Sequence, residues 1–142
     1  MTRESPLAAA YRAVRAALVA PGAVWGTRVY RRQAPEGVTR PYVVYFWSGG
    51  GETNRVLAQD ATLVLTVKVV AESYSVAAQG AAQLAERLND QGRYRAGALD
   101  GGTDWHILSC SQEELFEFDE LFGGQVTLYH QGARFRLVME AK

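Results

Sequence analysis

The sequence predicts an α+β protein with a mainly antiparallel β-sheet and two α-helices packed on one face of that sheet. Two segments repeat apolar residues at the spacing of a helix, one near the N-terminus and one in the middle of the chain. Other segments alternate their side chains at the two-residue period of a strand. The order helix, strands, helix, strands is typical of the α+β class.

The first helix is predicted to begin after Ser5, a good N-cap residue, with Pro6 at its first position. The proline and glycine of Ala20–Gly22 are predicted to end it. Its apolar stripe consists of Leu7, Tyr11, Val14 and Leu18, with Arg12 and Arg15 off the stripe.

A short strand, a loop and a longer strand are predicted over residues 27–53. The longer strand, Tyr42–Trp47, is apolar on both faces, which indicates that both faces are covered. We expect a helix on one face and a second sheet or another subunit on the other. The glycines that follow predict an end to the strand, so that Gly49–Arg55 forms a mobile hairpin tip that a partner orders.

The next strand is predicted over Ala61–Ser73, and Lys68 indicates that one of its faces is partly wet. The second helix is predicted to begin after Ser75 as its N-cap and to stop at Gly92. Small residues in its buried stripe allow it to approach a sheet closely. That stripe consists of Ala77, Ala81, Leu84 and Leu88.

Further strands are predicted near the C-terminus. Trp105–Ser111 has the pattern of a strand, whereas Glu113–Gly124 is ambiguous between a strand and a turn of helix. Gln125–Ala141 forms either a hairpin about Gln131–Gly132 or one long strand with a bulge at Gly132.

The length of 142 residues indicates a single domain, over residues 1–142. The only cysteine, Cys110, excludes an internal disulfide and suits a reducing compartment. No apolar run reaches the roughly 18 residues of a membrane span, and arginines interrupt the N-terminal segment too often for a signal peptide. We therefore expect an intracellular or virion-internal soluble protein.

The formal net charge is zero, but the charges are segregated along the chain. Residues 1–40 contain seven arginines and two glutamates, and the acidic residues concentrate in Glu113–Glu120. Folding can mix these charges in space. Alternatively, a basic face of one copy meets an acidic face of the next, a head-to-tail contact that can close into a ring.

The sequence gives only weak indications of a catalytic or metal-binding site. His130 is predicted to be a structural strand residue, because nothing places Ser109 or Cys110 beside it as a nucleophile. On an extended strand His106 and Cys110 would share a face but lie about 13 Å apart, too far to bind one zinc ion. We expect no catalytic residue, no protein-held metal and no cofactor.

Three further segments resemble motifs that bind phosphate, other proteins or nucleic acid. The glycines at 49–51 follow a strand but lack the phosphate-loop pattern. The carboxylates of Glu113–Glu120 suit general acid–base chemistry, but the interleaved aromatic residues are equally typical of a protein-docking segment or a solvated edge. The Tyr–Arg clusters near residues 30 and 94 are of the kind that bind nucleic acid, but the zero net charge argues against tight duplex binding.

The order of segments nevertheless resembles one family. The helix "LAAAYRAVRAAL", the strand opening at Pro41–Tyr42, the strand "ATLVLTVKVVAES", the helix "AAQGAAQLAERLND" and the closing "LYHQGARFRLVME" follow one another. Over about residues 5–140 this pattern is similar to the tail terminator, or tail completion, proteins of long-tailed phages and gene transfer particles. The acidic segment "EELFEFDELF" is longer than expected between the late strands of that family.

The resemblance implies a non-enzymatic virion protein of the tail and neck that is assembled in the bacterial cytoplasm. It implies a hexameric ring of self-associated copies that contacts the tail tube protein and the head–tail connector, with DNA passing through the lumen and no membrane partner. Another neck component, or a small ligand-binding or hydrolytic domain, stays an alternative. The residues we expect at partner contacts are Gly50, Glu52, Asn54, Arg55, Arg12, Arg31, Arg32, Glu114, Glu117 and Asp119.

Overall fold

The fold, seen in a computed structural model that describes residues 3–55, 58–89 and 99–142, is α+β as predicted. Helices α1 (Pro6–Leu18) and α2 (Tyr74–Leu88) pack on one face of a five-stranded sheet. The strands are β1 (Val29–Arg31), β2 (Tyr42–Arg55), β3 (Ala58–Ala71), β4 (Trp105–Phe122) and β5 (Val126–Ala141).

The strand order is β1-β2-β3-β5-β4, and every neighbouring pair is antiparallel except β1 with β2. The whole length of β4 therefore forms one edge of the sheet. The short β1 forms part of the other edge. Along the rest of that edge β2 is the outermost strand. This order places the acidic late segment and the basic early segment of the chain at opposite edges.

The core lies between the helices and one face of the sheet, and we call that face the helix side. Alternate residues of β3, from Ala61 to Val69, point to this side and are buried. Helix α1 begins as predicted, because the Ser5 hydroxyl accepts a hydrogen bond of 3.1 Å from the backbone N–H of Ala8. Among the large side chains of the core, Trp25, Trp105 and Phe135 are almost completely buried.

Helix α2 lies so close to the sheet that a side chain at Gly80 does not fit. A Cβ atom there would lie 2.8 Å from both methyl groups of Val69. Gly80 is accordingly buried, and the predicted stripe residue Ala81 is only partly buried. The predicted N-cap Ser75 is wrong, because Ser73 caps the helix and accepts from the N–H of Val76. The predicted stop at Gly92 lies outside the described residues.

Strand β2 does not end at its glycines, so the predicted hairpin tip at Gly49–Arg55 is wrong. The strand continues to Arg55 and pairs with β3 throughout, with a bulge at Ser48. Gly50 has a φ of 82°, and a Cβ atom there would lie 2.0 Å from the carbonyl oxygen of Thr62. Glycine at this position therefore permits close strand pairing rather than ending it.

The ambiguous acidic segment is strand, since β4 continues from Trp105 to Phe122. Of the two predicted alternatives for the last segment, one long strand is confirmed, since β5 is continuous, and the hairpin about Gln131–Gly132 is wrong. The bulges lie in β4, between Ile107 and Ser109 and between Gln112 and Glu114, and not at Gly132. At Gly132 a Cβ atom would lie 2.1 Å from a carbonyl oxygen of β3, which explains the glycine.

The connection between α1 and α2 depends on Arg87. Its guanidinium donates to the carbonyl oxygens of Ala17, Ala20 and Pro21, with distances of 2.5–3.1 Å. It also lies 5.5 Å from the centre of the Trp25 ring. Arg87 thereby satisfies carbonyl groups at the C-terminal end of α1 that the helix leaves unpaired.

Candidate functional site

Most acidic residues of β4 are already paired within the chain. Glu113 forms an ion pair with Arg136, Glu114 bonds Arg134 at 3.0 Å, and Glu120 bonds His130 at 3.0 Å. The hydrogen bond from Arg136 holds the pKa of Glu113 below its usual value. These pairs use carboxylates on the face of the sheet opposite the helices, which we call the open face.

Two acidic residues of β4 remain exposed and form no ion pair with any described residue. Glu117 and Asp119 pair in register with Gln131 and Tyr129 of β5, which places both carboxylates on the helix side. Leu115 and Leu121 point to the same side and are 70% and 68% exposed. We call these four residues the acidic edge, and it combines free negative charge with exposed apolar surface.

A groove of about 480 Å³ lies beside the acidic edge, between α2 and β4. The alanines of α2 form one wall, and Leu115 and Glu117 form the other. The side-chain nitrogen of Gln131, which lines the groove, is buried and has no hydrogen-bond partner among the described residues. The remaining lining residues are Ala81, Ala82, Ala85, Gln112, Phe116 and Gly132.

The opposite edge carries exposed arginines around an aromatic centre, and we call Tyr11, Arg15, Arg31, Arg32 and Trp47 the basic patch. Arg31 lies 5.8 Å from the centre of the Tyr11 ring. Trp47 is 47% exposed, and its backbone N–H donates a hydrogen bond of 2.9 Å to the Tyr11 hydroxyl. Arg31 and Trp47 pair in register with core residues of the helix side, so the basic patch and the acidic edge lie on the same side of the sheet.

Arg12, a predicted partner contact, is held within the chain. It forms an ion pair with Glu4 and donates a hydrogen bond of 3.2 Å to the carbonyl oxygen of Gly101. The hydrogen bond with Glu4 raises the pKa of Arg12. In the loop before β4, Leu99 and Gly101 are buried.

The other predicted contact residues lie at the two edges. Arg31 and Arg32 belong to the basic patch, and Glu117 and Asp119 to the acidic edge. Glu114 is exposed but paired with Arg134, and Gly50 lies inside β2. The side chains of Glu52, Asn54 and Arg55 lie outside the described residues.

On the open face, a stack of side chains surrounds His130. The centres of the Phe118 and His130 rings lie 4.1 Å apart, and the ring planes are inclined by 14°. The Nζ atom of Lys68 lies 5.0 Å from the centre of the same Phe118 ring. His130 is 6% exposed, and burial lowers its pKa despite the hydrogen bond that its ring donates to Glu120. Burial lowers the pKa of Lys68 as well. No described helix covers this face, in line with the expectation that Lys68 faces a partly wet surface.

The structure separates the residues that were weighed for catalysis and metal binding. The bulge after Ile107 puts His106 on the open face and Cys110 on the helix side, so the expectation that they share one face is wrong. Burial raises the pKa of the Cys110 thiol to about 12, which leaves it unreactive. In the described part of the chain, no three potential ligands lie close enough to hold a metal ion, and no helix has the length and hydropathy to cross a membrane.

The exposure of Trp47, Leu115 and Leu121 was not predicted from the sequence. Trp47 was assigned to a covered face because β2 was expected to be apolar on both faces. Leu115 and Leu121 were placed in a segment of ambiguous conformation. No local signal in the sequence marks the exposure of these residues, because exposure depends on which elements cover each face of the sheet.

Comparison with known proteins reveals a similarity in structure. Neither the family models nor the curated protein sequences matched this chain. A chain in a solved structure described as the virion of a native gene transfer agent particle is similar, with a TM-score of 0.63 and 15% sequence identity. The similarity covers 96% of this chain and 95% of that chain. The two chains therefore share one fold over nearly their full lengths.

Proposed function

We propose that this protein is a tail terminator, a structural virion protein whose hexameric ring caps the tail tube. The ring ends polymerisation of the tube and joins the tail to the head connector. The observation that carries this proposal is the full-length similarity to a chain of a gene transfer agent virion. It agrees with the resemblance in segment order that is visible in the sequence.

The surfaces of the molecule support an assembly role. A ring of identical subunits needs two different complementary surfaces on each subunit. The acidic edge and the basic patch lie at opposite edges of the sheet and carry opposite charge. The open face of the sheet adds half-exposed aromatic residues that no described element covers, among them Phe116 and Phe118.

The proposed partners follow from this role. Each subunit contacts other copies of itself, the tail tube protein and the head connector or head completion protein. DNA passes through the lumen without specific binding, and no membrane takes part. The protein is assembled in the bacterial cytoplasm and resides in the neck of the particle.

A second candidate is another component of the same neck, such as a head-closure or tail-tube-like protein. The similar chain belongs to a structure of a whole virion, so the likeness supports this candidate too. A hydrolytic role has less support, because His130 bonds Glu120 while Cys110 is buried on the other side of the sheet.

Polymerisation of the cognate tail tube protein tests the proposal. Purified protein is added during tube growth, and tube lengths are measured by electron microscopy. A terminator shortens the tubes and leaves extra density at one end. Incorporation along the tube wall, or growth of tubes from this protein alone, would identify a tube component instead.

A further inference from the structure

We propose that the acidic edge of one copy binds the basic patch of a second copy, with Trp47 of the second copy seated in the groove between α2 and β4. This inference rests on the proposed ring and identifies which surfaces form its subunit contact. It names a second copy of this chain as the occupant of the groove.

The first argument for this contact comes from the charged groups that the fold leaves without an ion-pair partner. Glu113 and Glu114 are neutralised by arginines of β5, Glu120 accepts a hydrogen bond from His130, and Arg12 is bound by Glu4. Among the exposed carboxylates without a described ion-pair partner, Glu117 and Asp119 lie together at the acidic edge, whereas Glu36, Asp60, Glu86 and Asp100 lie elsewhere. Exposed guanidinium groups without one are concentrated in the basic patch. Opposite charge on two separate surfaces of one chain favours a head-to-tail contact between copies over a contact of like surfaces.

The second argument comes from the groove between α2 and β4, which can receive an aromatic side chain. Its walls are alanines and Leu115, and it is open to solvent beside Glu117. Trp47, an exposed large aromatic residue of the basic patch, matches an apolar groove of about 480 Å³. Buried tryptophans surrounded by charged pairs are typical anchors of protein interfaces. Arg31 and Arg32, which flank Trp47, would then lie opposite Glu117 and Asp119.

The amide of Gln131 is a further reason to place a second copy in the groove. Its nitrogen is buried and has no hydrogen-bond acceptor among the described residues. Because the same side chain lines the groove, an acceptor that arrives with a second copy can satisfy it.

The geometry of the sheet permits this contact to repeat. Both surfaces lie on the helix side, at the two opposite edges of the sheet. Each copy can therefore bind one neighbour through its acidic edge and another through its basic patch. A contact of this kind generates a closed ring when the rotations between successive copies add up to one full turn.

Charge reversal tests the inference by native mass spectrometry over a range of protein concentration. One variant carries Glu117→Arg with Asp119→Arg, and the other carries Arg31→Glu with Arg32→Glu. Each variant alone is expected to lose self-association by about 10-fold or more, because like charges then face each other. Mixing the two variants is expected to restore assembly with the copies alternating, because both contacts are again complementary.

Two further variants separate the anchor from the charges. Trp47→Ala is expected to weaken assembly by about 10-fold or more at any salt concentration, because its contribution is apolar. Phe122→Ala is the matched control, because Phe122 is 53% exposed and lies on the open face of the sheet. Asp60→Lys, at an exposed position on the open face of β3, is the matched control for charge. Both control variants are expected to assemble like the wild type.

The outcomes distinguish this inference from the proposed function. If the wild type caps tail tubes while the reversed variants and Trp47→Ala assemble unchanged, the contact is wrong and the ring is formed by other surfaces. A mixture of the two reversed variants that stays monomeric would also overturn the contact. If the wild-type protein associates through these residues but never caps a tube, the contact stands and the tail terminator function fails.

Discussion

His130 shows how one residue is held by contacts that its neighbours in sequence do not reveal. Its ring is stacked on Phe118 and bonded to Glu120, both from the adjacent strand β4, with Lys68 of β3 close to the same stack. The sequence analysis predicted a structural residue on the same face as Leu128, and the strand register places both on the open face. It did not identify the partners, because they depend on two bulges in β4.

The burial of His130 predicts a dependence of stability on pH. Its pKa in the folded protein lies below the ordinary value of 6.5, chiefly because burial disfavours the charged ring. The unfolded chain therefore binds more protons as the pH falls through that value. The stability conferred by the neutral ring is complete above it and is lost as the pH falls toward the folded pKa.

We expect the free energy of unfolding, measured with urea, to decrease as the pH falls through the ordinary histidine pKa of 6.5. His130→Gln should make this decrease smaller. His106→Gln is the matched control, because it changes the only other histidine and leaves the contact between His130 and Glu120 intact. An unchanged slope in His130→Gln would contradict the assignment.

Arg87 is a second residue whose role appears only in three dimensions. Arg87→Ala is expected to lower the free energy of unfolding by about 1.5–3 kcal/mol, because several carbonyl groups at the end of α1 lose a charged donor. Arg15→Ala, at an exposed position of α1, should change it by about 0.5 kcal/mol or less. Urea denaturation of both variants checks this, and equal stability of the two would count against the role of Arg87.

At the scale of the elements, the helices were easier to predict than the strands. The cap and boundaries of α1 follow from local residues, and the structure confirms them. The glycines of β2 were interpreted as a break because their role depends on the close approach of Thr62 in another strand. The conformation of β4 was ambiguous because extra residues at its bulges shift the alternation, so that no single two-residue period runs through it.

The packing of α2 on β3 gives a prediction at this scale. Gly80→Ala is expected to destabilise the protein by about 1–2 kcal/mol, because overpacking against Val69 outweighs the better helix propensity of alanine. Combined with Val69→Ala, which removes the obstructing methyl groups, its cost should be smaller than in the wild-type background. Thermal unfolding of the two single variants and the double variant measures this coupling, and strictly additive losses would refute the close contact.

For the whole molecule, folding partly mixes the charges that are segregated along the chain. The sequence left open whether folding mixes the two signs. Arg134 and Arg136 of β5 neutralise Glu114 and Glu113 of β4, whereas Arg31 and Arg32 at the β1 edge have no ion-pair partner among the described residues. The pairing of Arg12 and the exposure of Trp47 were not predictable, since both depend on contacts between segments far apart in the sequence.

The number of copies bound to each tail tube tests the central claim most directly. Tubes of several lengths are incubated with the protein, separated from unbound protein, and analysed by quantitative mass spectrometry and electron microscopy. We predict one hexameric ring at one end of each tube, independent of tube length. A copy number that increases with tube length, or the absence of binding to tube ends, would contradict the proposal that this protein is a tail terminator.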